Sequence, residues 1–162
     1  IAQYNNRLDK LKAMIEGKKD VLEPLHTLPK GICVITGGEP AMYNLSALTK
    51  ALKELGWQSH IETSGAYPLS GDLDWVCVSP KKFKAPIPSC LAAADELKVI
   101  VFNKHDLIFG EEQAAKTNPN AILFLQPEWS KKEEMTPLIV DYVMNNPKWR
   151  VSLQTHKYLN IP

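Results

Sequence analysis

Cysteine is scarce and scattered. The chain has three, Cys33, Cys77 and Cys90, widely spaced and with no Cys-x-x-Cys pair. That excludes a disulfide framework and fits a reducing compartment, so a cytoplasmic location is expected. Net charge is almost absent, since 19 Lys+Arg against 18 Asp+Glu leave +1. There is no basic field to draw in nucleic acid or an anionic membrane, and neither is expected as a partner. No apolar run approaches the roughly 18 residues of a membrane span. None reads as a secretory signal. A phosphate-binding P-loop and a Gly-x-Gly-x-x-Gly fingerprint are both missing. So are the Asn-Gly and Asp-Gly turns that close tight hairpins.

What is present is an ordinary globular composition over 162 residues, 44% hydrophobic and 23% charged. That length is one domain by default, and it can bury a core without staples. Tyr4, Leu8, Leu11 and Ile15 have helical spacing, with Gly17 as a stop. Short apolar runs then alternate with helical patterns. Strands are expected at 31–36, 57–63, 75–79, 96–102, 121–126 and 151–156. A helix is expected after Asn44, on a face of Leu45, Leu48, Leu52 and Leu55, ending at Gly56. A weaker one is expected around 111–116. Another is expected from Ser130, where Ser130 and Glu133 have capping-box spacing and Met135, Leu138, Ile139 and Tyr142 form one face. The strand runs read as nearly continuous, as in strands covered on both faces. The pattern is α/β with a mainly parallel sheet, either open or curled into part of a (βα) barrel.

Each expected strand ends in polar or glycine residues. In parallel α/β folds those carboxyl ends share one edge, where ligands bind. Gly37 and Gly38 would let a ligand approach the backbone, and Glu39 beside them suits a cation such as an ammonium; an ordinary turn is the alternative. His60 and Glu62 share a strand face and suit a hydrogen-bonded interior pair better than a metal site. Lys81 and Lys82 could hold an anion. His105 and Asp106 read as a helix start. His156, beside Gln154 and Lys157, could bind a carboxylate or a heterocycle edge. His26 has no supporting context. Cys33 and Cys77 fall inside strand runs and read as buried thiols, whereas Cys90 falls in a loop. Trp57, Trp75 and Trp149 read as packing residues, and Trp129 as a pocket wall.

Six motifs, VITGGEP, HIETSGAYPLSG, VCVSPKK, ADELKVIV, LFLQPEW and SLQTHKYLNIP, occur in that order. Together they resemble the 7-carboxy-7-deazaguanine synthases, radical S-adenosylmethionine enzymes of queuosine and 7-deazapurine biosynthesis. The resemblance runs over 31–162. It implies an incomplete, modified (βα) barrel. It also implies conversion of 6-carboxy-5,6,7,8-tetrahydropterin to 7-carboxy-7-deazaguanine with loss of ammonia, using S-adenosylmethionine, a [4Fe-4S] cluster and Mg²⁺. By motif, Gly37, Gly38 and Glu39 would hold the methionine part of the cofactor. Ser64, Ser79, Pro80 and Lys81 would line the rest of its site. Gln126, Pro127, Glu128 and Trp129 would flank its adenosine. Thr36 and His156 would contact the pterin, and Pro162 would be the natural terminus, its carboxylate facing the substrate. A flavodoxin-like reductant and a homodimer are further implications.

The cluster is where the sequence departs from the family. Three clustered thiolates are needed, and Cys33, Cys77 and Cys90 have the number without the spacing. Residues 1–162 are therefore expected to be a single domain, the carboxyl-terminal part of a radical S-adenosylmethionine core. Its cluster loop and Mg²⁺ ligand would be cut away, cleaved or omitted, and the chain alone would be inactive. An exposed sheet edge and self-association are expected with it. A cofactor- or partner-binding module without turnover is the alternative. A cluster-free α/β enzyme using Lys81 or His156 as acid or base is the weakest reading.

Overall fold

The computed structural model describes residues 30–160. The expected helix over Tyr4 to Ile15, His26 and Pro162 lie outside the described residues. Six strands form one sheet: β1 (Ile32–Ile35), β2 (Gln58–Thr63), β3 (Trp75–Val78), β4 (Glu96–Val101), β5 (Ile122–Pro127) and β6 (Trp149–Val151). Their order in the sheet is their order in the chain, and every pair is parallel. Right-handed crossovers in one direction put every connecting helix on the same side. The sheet is thus singly wound and open, part of a barrel wall, rather than doubly wound.

The helices are α1 (Ser46–Glu54), α2 (Pro88–Ala92), α3 (His105–Ala114), α4 (Lys132–Asn145) and α5 (Thr155–Tyr158). Leu45, Leu48 and Leu52 of the first helical face are fully buried, and Met135 and Ile139 anchor α4. They pack with Ile61, Val78, Leu97, Val99 and Leu125 into one core on one face of the sheet. Trp149 is 2% exposed and completes that core, while Trp57 packs at its margin.

Several expectations change. The strands are not covered on both faces among the described residues. Burial in β4 alternates strictly, with Leu97, Val99 and Val101 buried and Glu96, Lys98 and Ile100 only partly so. Asn44 bonds the Ser46 amide (3.0 Å), but the helix starts one residue later than a cap there would put it. No capping box forms at Ser130. That serine lies in a 3₁₀ turn, Trp129–Lys131, and its amide and hydroxyl both donate to Glu128. The last strand is Trp149–Val151 rather than 151–156, because Thr155 already begins α5. Helix α3 starts at His105, as the reading of His105 and Asp106 expects, and runs to Ala114 rather than over 111–116; Asp106 accepts the Phe102 (2.7 Å) and Asn103 (2.8 Å) amides at that start. Cys90 is 1% exposed inside α2, and Cys33 is half-buried rather than buried.

The link from β2 to β3 has no helix and packs on α1 instead. Ser70 Oγ accepts the Leu45 amide (2.9 Å), and the Asp72 amide donates to Thr49 Oγ1 (3.0 Å). Gly71 makes this possible. Its φ is +87°, and a Cβ there would lie 2.5 Å from Thr49 Oγ1. Gly71→Ala should therefore lower stability by at least about 1–2 kcal/mol, the left-handed backbone cost alone. Urea unfolding checks this, and an unchanged midpoint would contradict the close approach.

Candidate functional site

The carboxyl ends of the strands line a cavity of about 550 Å³ on the face opposite the helices. Its first wall is the turn after β1. Thr36, Gly37, Gly38 and Glu39 all line it. Gly37 (φ +91°) and Gly38 (φ +51°) need the left-handed region, and a Cβ on either would meet nothing within 4 Å. Their backbone therefore borders open space that a ligand can enter.

Glu39 is the most heavily bonded side chain of the site. Its Oε1 accepts the Ala41 amide (3.2 Å) and the Thr63 hydroxyl. Its Oε2 accepts the Ser64 amide (2.8 Å) and the Ser64 hydroxyl. Burial pushes this carboxyl up, but those hydroxyl and amide donors outweigh it and hold it below the usual carboxylate range. The carboxylate so ties the end of β1 to the end of β2. Two of its four donors are hydroxyls, which can rotate away to admit a ligand cation.

The floor is a row of charges on the open face. Glu62, Cys77 and Glu96 are register neighbours across β2, β3 and β4. Lys98 Nζ lies 2.9 Å from Glu62 Oε1. Cys77 Sγ donates to Glu96 Oε1 (3.3 Å), and burial pushes this thiol well above its ordinary range. Lys81 is held below the usual lysine range, first by burial and then by the charge of Lys98, and it reaches Ser79 Oγ at 3.3 Å. The opposite wall comes from β5 and from the residues after β6. There Ser152 Oγ donates to Gln126 Oε1 (3.1 Å), and Gln154 and His156 also line the space.

The cavity thus gathers Thr36, the Gly37–Glu39 turn, Ser64, Ser79, Lys81, Gln126 and His156, from five separate stretches of sequence. Other candidates do not line it. Pro80 and Pro127 are buried. Glu128 caps its own 3₁₀ turn, and Trp129 packs edge-on against Tyr158 at 5.1 Å, not as a wall. Lys82 turns away from Lys81 and pairs with Asp106. His60 stacks on Trp75 (5.9 Å between ring centres) and makes no pair with Glu62, which is taken by Lys98. The floor residues Glu96 and Lys98 were missed. Their alternation with Leu97 and Val99 is the signal that marks them.

The 7-carboxy-7-deazaguanine synthase of Flavobacterium psychrophilum is 65% identical over 145 residues, covering 90% of this chain and 69% of that protein. The chain belongs to the 7-carboxy-7-deazaguanine synthase family. The synthase of Synechocystis sp. is 44% identical over 142 residues, covering 88% of this chain and 68% of that one. The crystal structure of QueE from Escherichia coli is similar with a TM-score of 0.75 and 30% identity, over 86% of this chain and 63% of that one. The chain thus spans about two thirds of the length of the synthases it matches. No protein-family model matches it.

The Glu39 tie predicts an acid-side dependence. A carboxyl held low contributes stability above its unfolded pKa of about 4.3 and loses it as pH falls through the folded value. Glu39→Ala should cost about 1–3 kcal/mol at pH 7, the amides of Ala41 and Ser64 losing their acceptor. The gap between wild type and Glu39→Gln should narrow as pH falls from 7 toward 3. Urea midpoints across that range test it, and a pH-independent gap would contradict the ionised tie.

Proposed function

We propose that this chain carries the S-adenosylmethionine and pterin pockets of an enzyme converting 6-carboxy-5,6,7,8-tetrahydropterin to 7-carboxy-7-deazaguanine with release of ammonia. The observation that carries this reading is the fixed Glu39 carboxylate beside the Gly37-Gly38 turn, at the mouth of the cavity. An α-amino group needs an anion there, and an open backbone lets it approach. Family membership supplies the reaction.

The residues present fit the cofactor. Glu39 would bind the ammonium, with the Ser64 hydroxyl yielding its place. Ser64, Ser79 and Lys81 would face the remainder of the methionine and ribose, and Gln126 would face the adenosine. S-adenosylmethionine, when bound, supplies the adenosyl group for hydrogen abstraction. Thr36 and His156, on opposite walls, would hold the pterin between them. Lys81, held below its ordinary range, can pass a proton more readily than a solvated lysine. On this reading the partners are the pterin, a flavodoxin-like reductant and a second copy of the chain.

The described residues do not fit a [4Fe-4S] cluster or Mg²⁺. Cys33 lies on β1, Cys77 is buried on β3 and Cys90 lies in α2, where its thiol donates to the Tyr67 carbonyl (3.1 Å). Among the described residues, no group of three His, Cys, Asp or Glu side chains could hold a metal ion.

Calorimetry with S-adenosylmethionine tests the pocket. Glu39→Ala should weaken binding by about 2 kcal/mol or more, a lost charge-assisted contact. His156→Ala should weaken a stable pterin such as 6-carboxypterin and leave the cofactor alone; the reverse pattern would mean the two pockets are exchanged. Anaerobic reconstitution decides turnover. About four irons per chain are the result for an intact synthase; this chain should bind S-adenosylmethionine and take up no cluster, and iron uptake by it would contradict the reading of its cysteines.

A further inference from the structure

Four loops at the carboxyl edge of the sheet are joined by side-chain contacts into one continuous rim. Residues 81–84, after β3, form a tight turn closed by a Lys81–Lys84 bridge. From that turn Lys82 pairs with Asp106, at the start of α3 after β4. Lys131, after β5, places its Nζ 5.6 Å from the ring centre of Phe102 beside that same start. Lys132 (4.7 Å) and Lys157 (5.2 Å), the latter after β6, both reach the Trp129 ring. The rim meets the cavity at both ends, where Lys81 and His156 line it. Residues 80–84, 102–106, 128–134 and 155–160 carry seven lysines against four carboxylates. The loops after β1 and β2, residues 36–44 and 64–74, carry no lysine. A chain of net charge +1 thus gathers a cationic excess on one half of its ligand edge. Phe83 stands at the tip of the first loop, 89% exposed. Its neighbours are fastened, Lys82 to Asp106 and Lys84 over the Tyr67 ring at 3.7 Å. A fixed turn therefore holds a bare aromatic ring in solvent, and Phe102 and Tyr158 add half-exposed rings along the rim. Aromatic residues are enriched at protein interfaces, and charges around them set the sign of the partner.

We propose that this rim is the docking surface for an acidic protein, with Phe83 as its anchor. Charge selects the partner. A second copy of the chain, docking rim to rim, would set lysines against lysines. A single-stranded nucleic acid needs free aromatic faces for its bases, and the Phe102 and Trp129 rings already carry lysine ammonium groups. An acidic surface can take those lysines over, because exposed pairs such as Lys131–Glu134 and Lys132–Glu133 hold weakly. The inference rests on the functional reading above for the partner's identity. Of the partners named there, the flavodoxin-like reductant is the acidic protein. Docked on the rim, it would border the cavity from Lys81 to His156.

The experiment titrates the purified chain with flavodoxin by calorimetry, at low and at high salt. Wild type should bind, and its affinity should fall about tenfold or more between about 0.05 and 0.5 M NaCl. Phe83→Ala should weaken binding about tenfold or more, as loss of an anchor does. Lys84→Glu combined with Lys104→Glu should weaken it as much. Lys50→Glu on α1, a like charge change off the rim, should stay within about threefold of wild type. All four side chains are exposed, so the variants should fold, and circular dichroism checks that they do. Absence of flavodoxin binding by wild type overturns the inference. Binding that the rim variants leave unchanged, or that Lys50→Glu weakens equally, also overturns it. Self-association abolished by Phe83→Ala, without flavodoxin binding, assigns the rim to a second copy and overturns it too. S-adenosylmethionine, titrated separately, keeps the two readings apart. Cofactor binding without flavodoxin binding removes the docking surface alone. Rim-dependent flavodoxin binding without cofactor binding supports the surface and removes the reading of the cavity.

Discussion

Everything in this molecule follows from the sheet being wound in one direction. Parallel strands need crossovers, and crossovers of one hand in one direction place their helices on a single face. Helices α1, α3 and α4 therefore press on Ile61, Leu97, Val99 and Leu125 from one side. The other side keeps its charges, Glu62, Glu96 and Lys98, because no helix desolvates them. A doubly wound sheet of the same strands would bury those groups against apolar surface at a cost no pairing would recover. Core and cavity are thus two faces of one choice of topology.

The cavity's walls are then a matter of ties across the carboxyl edge. Glu39 joins the ends of β1 and β2, Lys98 joins β4 to β2, and Ser152 joins the segment after β6 to β5. These bonds connect strand ends far apart in sequence, so the edge is held as a unit. That matters for a site whose residues come from several separate stretches. Binding geometry fixed before a ligand arrives lowers the ordering that binding must impose.

Much of this was legible in the residues. Five of the six strands fall where the residues place them and the sixth lies two residues earlier, because short apolar runs between turn residues have few other meanings at this length. The turn at Gly37 to Glu39 and the contributions of Ser64, Lys81, Gln126 and His156 follow from strand ends sharing one edge. What failed was finer. The run at 96–101 looks continuous because Ile100 hides the alternation that Glu96 and Lys98 carry, so a one-sided strand passed for a covered one. The spacing of Ser130 and Glu133 is that of a capping box, yet Glu128 reached the serine first. Cys90 looked like a loop residue because α2, only five residues long, is set by packing and by Pro88 at its start rather than by periodicity. In each case a local rule lost to a neighbour that only the folded chain brings near.

Glu111 sits far from the cavity, yet it governs the cavity's last wall. Its carboxylate accepts from Tyr142 (2.7 Å), from the Trp149 indole (2.8 Å) and from Lys148 (2.6 Å), three residues that bracket the turn into β6. Burial works against its charge, but Lys148, Tyr142 and Trp149 hold it ionised; burial first, and then the contact with Glu111, push the Tyr142 hydroxyl up to about 12. Strand β6 has only three residues and one neighbouring strand, so its ladder alone holds it weakly. One carboxylate thus serves three donors at once, and its negative charge is what strengthens each of them. The segment bearing Gln154 and His156 is thus fastened from two sides, by its ladder to β5 and by the Glu111 clasp on the Trp149 indole.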